Sequence, residues 1–133
     1  MTVLVTRDQH ALMRHEIRIG SHTLAADGTL EDGGDGSAPS PHDFYDAALG
    51  ACKALTVLWY AKRKGIPVED IEVRVERDST QERAGTYRLD AQLRLGGPLS
   101  EAQRQELLAV ASKCPVHKLM TLTKTEVTTS LAS

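Results

Sequence analysis

Two cysteines, Cys52 and Cys114, carry the most reactive side-chain chemistry in this sequence. Their separation is far longer than the spacing of a CxxC redox motif or of a zinc knuckle. In a reducing compartment a pair of cysteines rarely forms a permanent structural disulfide. The two thiols are therefore either inert packing residues or a pair that works in thiol chemistry.

The surroundings of Cys114 favour a reactive thiol. It lies between the end of a predicted helix and Pro115, with Lys113, His117 and Lys118 within one turn of it. If Pro115 begins a short helix, Cys114 lies at that helix's N-terminus. Unpaired backbone N–H groups and nearby cations there favour thiolate over thiol and lower the pKa. His117 is either a residue of the helical turn or a general base.

Cys52 lies within an apolar stretch, AALGACKALTVLWYA (residues 47–61). Its residue type and place alone favour a packing role, because a free cysteine behaves as a small hydrophobic residue. A metal site is a minor alternative, in which Cys114 and His117 join Cys52 and His42. The spacing between His42 and Cys52 matches no common zinc motif.

Composition limits the classes of protein to which the chain can belong. Its 133 residues, 41% hydrophobic and 26% charged, predict one soluble globular domain covering 1–133. A formal net charge of -2 gives no electrostatic reason to expect nucleic acid or an anionic membrane as a partner. No apolar run approaches the roughly 18–20 residues of a membrane span. The first residues do not have the pattern of a secretory signal, so we expect a cytoplasmic location.

Hydrophobic periodicity and turn residues predict an α+β domain, with helices and strands mixed along the chain. Alternating apolar and charged residues indicate half-buried strands, and Ser followed by Pro or Glu indicates the start of a helix. The first predicted elements are strands at 3–5 and within 14–24 (turning at Gly20-Ser21), followed by a loop at 27–41. A helix capped by Ser40 runs from Pro41 to about Lys64, and a hairpin of strands at 70–78 and 87–95 follows it. The last predicted elements are a helix that is capped by Ser100 and ends before Cys114, and a C-terminal strand at 121–131.

The long helix is apolar on almost every side in its middle, which predicts that it is buried all round. A lone domain of this size has too little chain to surround such a helix, so we expect a second subunit to cover part of it. Small residues would allow another backbone to approach closely: Ala47, Ala48, Gly50, Ala51 and Ala54.

Two segments resemble the OsmC/Ohr superfamily: SAPSPHDFYDAALGACKALTVLWYAKRKGIPVEDIEVRV (37–75) and KCPVHKLM (113–120). The similarity is greatest to the branch with a PSPHD-type entry to the long helix, and the elements between the segments agree in order. The resemblance covers the chain from about Arg14 to the C-terminus. It implies an OsmC-like fold, with antiparallel sheets around a long buried central helix, in an intertwined homodimer.

The resemblance also implies a peroxidase that uses neither a cofactor nor a metal. The family's first cysteine aligns with Cys52, whose thiolate would attack a hydroperoxide and become a sulfenic acid. The second aligns with Cys114, which would condense with that sulfenic acid to a disulfide. An external dithiol, in one branch a lipoylated protein, would then reduce the disulfide by exchange. Organic hydroperoxides are the substrates that this resemblance favours.

The chain departs from the family pattern near its first cysteine. The family places an arginine, held by a glutamate, beside this thiol. His42 stands at the glutamate's position, with Asp43 next to it, and Arg14 and Arg18 are the candidates for the arginine. Lys53 stands where relatives often have threonine. His42 and Asp43 have a simpler interpretation as first-turn helix residues, and the two arginines as solvated strand charges.

Three hypotheses follow from the sequence. The leading one is a two-cysteine hydroperoxide reductase. The second is an OsmC-like module without peroxidase activity that binds a small apolar ligand in the cleft over Cys52, and the departure at His42 motivates it. In the third, both cysteines are inert core residues.

Overall fold

The computed structural model describes residues 1–132, and within them it has five strands and three helices. The chain forms two compact units, one of residues Met1–Ala47 and one from Ala48 onward. The mixture of helices with antiparallel strands confirms the α+β class, whereas the single domain stays a prediction. In order, the elements are β1 (Val3–Arg7), β2 (His15–Ile19), β3 (His22–Ala26), α1 (Pro41–Lys64), β4 (Asp70–Asp78), β5 (Arg88–Gly96), α2 (Glu101–Ala111) and α3 (Pro115–Thr121).

The first unit contains an antiparallel sheet in the order β1-β2-β3. Val3 of β1 pairs with Ile19 of β2, and His15 of β2 pairs with Ala26 of β3. The turn between β2 and β3 includes Gly20, whose φ of 59° lies in the left-handed region that glycine adopts at little cost. The predicted strand pair that turns at Gly20-Ser21 is therefore present.

The loop between β3 and α1 is organised around the buried carboxylate of Asp27. Ser37 donates to this carboxylate from its backbone N–H at 3.0 Å and from its hydroxyl at 2.6 Å. The Gly28 N–H donates to it at 2.8 Å. These donors, with the Ser37 hydroxyl as the largest contribution, hold the pKa of Asp27 below its usual value. These hydrogen bonds to Asp27 hold in place a loop that is rich in Gly, Ser and Asp.

Helix α1 begins and ends where the sequence predicts. The backbone N–H of Asp43 donates to Ser40 Oγ at 3.3 Å, and the Ser40 N–H donates to Asp43 Oδ2 at 2.9 Å. This reciprocal pair satisfies two donors that the first turn would otherwise leave without partners. The helix ends at Lys64, before Gly65, which has a φ of 69°.

The second unit packs the rest of α1 against the β4–β5 hairpin and α2. In the antiparallel hairpin Val75 pairs with Ala91. A Cβ atom at Gly50 would lie 3.1 Å from Val75 Cγ2, so the glycine lets α1 approach β4 closely. The apolar core lies between α1, α2 and the hairpin. Its buried members are Val57, Ala61, Ile66, Leu107 and Ala111.

The predicted strand at 121–131 is wrong. Helix α3 continues to Thr121, and none of residues 123–132 belongs to a strand in the described chain. This segment is exposed throughout. Its threonines and valine favour extended backbone, but a strand also needs a hydrogen-bonded neighbour.

In the single chain α1 is not buried all round, and whether a second subunit covers the rest of the helix stays a prediction. One face of the helix is buried, while Leu55, Leu58 and Trp59 on the other side are 68%, 41% and 60% exposed. This exposed apolar face does not make α1 a membrane helix, because no helix within residues 1–132 is long and apolar enough to cross a bilayer.

Candidate active site

The two cysteine side chains meet where α1 approaches the junction of α2 and α3. Cys52 is half-buried in the middle of α1, and Cys114 is completely buried immediately before α3. The two thiols are unbridged, and Cys52 lies close enough to raise the pKa of Cys114. The backbone N–H of Val116 donates to Cys52 Sγ at 3.5 Å, and Thr56 Oγ1 lies 3.9 Å from the same sulfur. The fold therefore brings together two thiols that are distant in sequence.

Cys114 is not the low-pKa thiol that its sequence context predicts. Burial raises the pKa of this thiol, because removal from water disfavours the charged thiolate. The backbone N–H of His117 and the charge of Lys53 lower the pKa but do not outweigh burial, and the nearby Cys52 raises it further. The prediction of an N-terminal helix position is right, since Pro115 begins α3. The predicted direction of the pKa shift is wrong because desolvation dominates.

Lys53 is part of the site, although the sequence marks it only as a departure from related proteins. Its side chain is buried, and Nζ donates to the carbonyl oxygen of Ala111 at 2.9 Å. Nζ also lies 3.0 Å from Nδ1 of His117. A lysine ammonium can only donate, so His117 Nδ1 is the acceptor for a charged Lys53. The sequence did contain one indication of this role: Lys53 is a charged residue within the apolar stretch 47–61.

A cavity of about 190 Å³ adjoins Lys53. Lys53 and His117 contribute its charged and titratable groups, Ser112 is also polar, and the other walls are apolar. Among residues 1–132, none with a carboxylate side chain lines the cavity. The apolar wall consists of Leu49, Leu89, Ala91, Leu93, Leu108 and Ala111.

The four residues predicted to support Cys52 lie in the first unit, and two of them form hydrogen bonds that hold the loop and the start of α1. Arg14 donates from Nη1 to the carbonyl oxygen of Ser37 at 3.1 Å and to its hydroxyl at 2.8 Å. Asp43 caps α1 through Ser40, as described above.

The other two supporting candidates are exposed at the surface of the first unit. Arg18 pairs with Glu16, with 3.1 Å between Nε and the carboxylate oxygen, in an exposed ion pair that contributes little to stability. His42 lies exposed in the first turn of α1. The roles of all four beside a reacting thiol stay predictions.

The alternative metal site does not assemble. Among residues 1–132, no group of three or more His, Cys, Asp or Glu side chains is arranged to hold a metal ion. His117, the proposed partner of Cys114 in that site, is instead oriented by Lys53. The geometry favours thiol chemistry over metal binding at this position.

The fold and the thiol pair agree with the family to which the sequence belongs. The model of the family described as OsmC-like protein matches residues 34–130, which is most of the chain. The protein therefore belongs to the OsmC-like family. The matched segment includes both cysteines and Lys53. No curated protein matches the sequence.

Solved structures of bacterial proteins share this fold. An OsmC-like protein from Mycoplasma pneumoniae superposes with a TM-score of 0.75 at 17% identity, covering 91% of this chain and 86% of that one. The organic hydroperoxide resistance protein OsmC from Legionella pneumophila gives 0.65 at 22% identity, with 92% and 90% covered. The organic hydroperoxide resistance protein OhrB of Bacillus subtilis gives 0.60 at 22% identity, with 92% of each chain covered. These similarities confirm the predicted OsmC-like fold.

Proposed function

We propose that this protein is a cysteine-based peroxidase that reduces organic hydroperoxides. The observation that carries the proposal is the proximity of Cys52 to the segment that holds Cys114: Cys52 Sγ accepts the backbone N–H of Val116 at 3.5 Å in a family-matched fold. Two of the structures that share this fold are named organic hydroperoxide resistance proteins. Two neighbouring thiols are suited to form a disulfide after one sulfur has been oxidised.

In the first step the Cys52 thiolate attacks one oxygen of the hydroperoxide. The S–O bond forms as the O–O bond breaks, the leaving oxygen takes a proton to become an alcohol, and Cys52 becomes a sulfenic acid. Cys52 suits this role better than Cys114 because it is half-buried, whereas Cys114 is fully enclosed. The Val116 N–H at 3.5 Å is a donor to the attacking sulfur.

In the second step Cys114 attacks the sulfur of the Cys52 sulfenic acid and releases water, which leaves a disulfide. An external dithiol, such as the lipoyl group of a lipoylated protein, reduces this disulfide by thiol exchange and restores both thiols. The cycle needs no cofactor. It suits a cytoplasmic protein, because a disulfide that forms and is reduced in each cycle is compatible with a reducing compartment.

Arg14 or Arg18 is proposed to supply the cation that assists the first step. His42 occupies the position where the family has a glutamate that holds this arginine, and Asp43 is next to it. A guanidinium near the sulfur would favour thiolate and interact with the peroxide oxygen as negative charge develops there. Arg14 is the better candidate, because Ser37 fixes its guanidinium through two hydrogen bonds. Arg18 is engaged with Glu16 at an exposed position.

We also propose that the active form is a homodimer. The exposed side of α1 carries Leu55, Leu58 and Trp59, which water would contact in an isolated chain. Small side chains at Ala47, Ala48 and Ala51 are exposed along the same helix and would let another backbone approach. A second copy that covers this face would complete the burial that the helix sequence predicts.

Removal of each thiol tests the peroxidase cycle. With cumene hydroperoxide and dihydrolipoamide, we expect Cys52→Ser to abolish catalysed peroxide consumption, because no sulfenic acid can form. We expect Cys114→Ser to retain one oxidation of Cys52, with a sulfenic acid that dimedone traps and mass spectrometry detects. Wild-type protein with both thiols alkylated is the control for thiol-independent loss of peroxide. Peroxide consumption by Cys52→Ser at the wild-type rate would exclude the proposed cycle.

The cavity beside Lys53 favours a second candidate function, the binding of a small ligand without peroxidase activity. Its volume of about 190 Å³ and its mainly apolar walls suit a small apolar molecule. Native mass spectrometry of the freshly purified protein separates the two functions. A retained small molecule, together with no peroxide consumption with any dithiol, would favour the binding module over the peroxidase.

A further inference from the structure

A buried lysine holds the segment around Cys114 from both sides. Lys53 is 5% exposed, and its ammonium donates to the carbonyl oxygen of Ala111 at 2.9 Å. The same ammonium lies 3.0 Å from Nδ1 of His117. Ala111 is the third residue before Cys114 and His117 is the third after it. One side chain of α1 therefore spans the junction of α2 and α3, where Cys114 lies.

The contacts of the neighbouring residue reinforce this arrangement. Cys52 precedes Lys53 on α1, and its sulfur accepts the Val116 N–H at 3.5 Å. The Ala111 carbonyl that accepts from Lys53 also accepts the backbone N–H of Cys114 at 3.4 Å. Two consecutive residues of α1 thus contact the segment from Ala111 to His117 at three points. These contacts fix Cys114 against the helix that carries Cys52.

Within residues 1–132, Lys53 supplies the cationic side chain among the groups that shift the pKa of Cys114. From α1 those groups are Lys53 and the Cys52 thiol, and from α3 the group is the backbone N–H of His117. Burial opposes the thiolate of Cys114, and the Lys53 charge favours it. Since no carboxylate side chain of the described residues lines the cavity beside Lys53, none of them neutralises its ammonium from that side.

We propose that Lys53 is the positioning residue of Cys114 in the disulfide-forming step, holding the thiol next to Cys52 and favouring its thiolate. This inference rests on the proposed peroxidase cycle. In that step the Cys114 sulfur attacks the Cys52 sulfur, the S–S bond forms and the S–O bond breaks. The departing hydroxide combines with the proton that Cys114 released and leaves as water. The Cys52 sulfur is reduced, the Cys114 sulfur is oxidised, and Lys53 is unchanged.

Alkylation of Cys114 in a Cys52→Ser background tests the role of Lys53 without any peroxide. The rate of reaction with iodoacetamide is measured from pH 6 to 10, and its midpoint reports the thiolate of Cys114. We expect Lys53→Met to move the midpoint upward and to slow alkylation at neutral pH about tenfold, the effect of roughly one pKa unit. Lys53→Arg keeps the charge and should restore most of the rate. Lys62→Met, at an exposed lysine on the same helix, is the matched control.

The direction of the pH midpoint is informative, because greater exposure of Cys114 alone would lower the midpoint, whereas loss of the Lys53 charge raises it. A midpoint in Lys53→Met equal to that of the Cys52→Ser background would overturn the proposal. If Lys53→Met does not fold, Lys53→Gln removes the charge while retaining a donor for Ala111, and the same midpoint decides the question.

Rapid mixing of the two-cysteine protein with peroxide gives a second, separate result. In Lys53→Gln we expect the disulfide to form several-fold more slowly after Cys52 is oxidised, so that dimedone traps more sulfenic acid. Equal rates of disulfide formation in the two proteins would contradict the role of Lys53. If Cys52 is oxidised in neither protein, the proposed peroxidase fails, while the alkylation midpoint still decides the role of Lys53.

Discussion

The two sulfurs of the site differ in their access to water and in the charges around them. Cys52 is half-buried and accepts a backbone N–H, whereas Cys114 is fully buried and depends on Lys53 for a nearby positive charge. Burial keeps the Cys114 thiol from reacting directly with peroxide and from being overoxidised. This division supports Cys52 as the residue that meets peroxide and Cys114 as the residue that resolves the sulfenic acid.

Asp27 provides a residue-level prediction about stability and pH. Its folded-state pKa lies below the reference value of 3.8, mainly because the Ser37 hydroxyl donates to the carboxylate. A depressed folded-state pKa stabilises the fold at pH values above the unfolded-state pKa, and this contribution is lost as pH falls through the folded-state pKa. We therefore expect Asp27→Asn to lower the free energy of unfolding at pH 7, and the difference from wild type to shrink below about pH 4. Urea unfolding followed by circular dichroism at several pH values measures this difference.

Ser37→Ala is the matched variant, because it removes the hydroxyl that contributes most to the Asp27 pKa shift and leaves the carboxylate in place. It should show a smaller loss at pH 7 than Asp27→Asn, with the same pH direction. A wild-type minus Asp27→Asn difference that stays constant between pH 7 and pH 3 would contradict this account of the loop.

The residues of the site show which parts of it the sequence could predict. Both cysteines follow from residue type and family resemblance. The position of Lys53 does not, because its partners lie 58 and 64 positions away along the chain. The direction of the Cys114 pKa shift depends on complete burial, which is a property of the tertiary packing. Local sequence reports the charges near a thiol but not how much water remains around it.

At the scale of elements, local signals predicted most boundaries. The Ser40 cap and Gly65 delimit α1 as expected, and the alternation over 70–78 matches β4 residue for residue. The second strand of the hairpin begins and ends one residue later than predicted. The strand at 121–131 was predicted from β-propensity. This property is a weaker guide than a helix cap, because a segment forms a strand only where it can pair with a neighbouring strand.

Gly50 carries a prediction about how α1 packs on the hairpin. Its missing side chain allows the close approach to Val75, at which an added Cβ would lie 3.1 Å from Cγ2. We expect Gly50→Leu to lower the free energy of unfolding by about 1–3 kcal/mol, because the larger side chain must displace the hairpin. Urea unfolding followed by the fluorescence of Trp59, the single tryptophan, measures the change.

A double-mutant cycle with Val75→Ala shows whether the contact causes that loss. Removing the valine methyls makes room at Gly50, so Gly50→Leu should cost less in the Val75→Ala background than in wild type. Losses that simply add would mean that Gly50→Leu acts elsewhere, and the inferred packing contact would then not explain its effect.

At the scale of the whole molecule, the exposed apolar face of α1 is the surface that a second subunit is expected to cover. The sequence pattern does not distinguish a surface buried within one chain from a surface that a second copy would cover. Leu55 and Trp59 are 68% and 60% exposed in the single chain, which is unusual for adjacent large apolar residues on one helix. The proposed homodimer would bury this face. The guanidinium carbon of Arg63 lies 4.8 Å from the centroid of the Trp59 ring.

A charge placed on this face tests the dimer. We expect wild-type protein to sediment as a dimer at micromolar concentration. We expect Leu55→Glu to sediment as a monomer, because association would bury a carboxylate among apolar side chains. The monomer should keep its helical circular dichroism, since Leu55 is already exposed in the single chain. Leu30→Glu, at a 77% exposed leucine in the loop before α1, is the control and should leave the sedimentation coefficient unchanged. A wild-type protein that sediments as a monomer, or a Leu55→Glu variant that sediments as the wild-type dimer, would show that this face does not join two copies. The apolar side of α1 would then need a different partner to explain it.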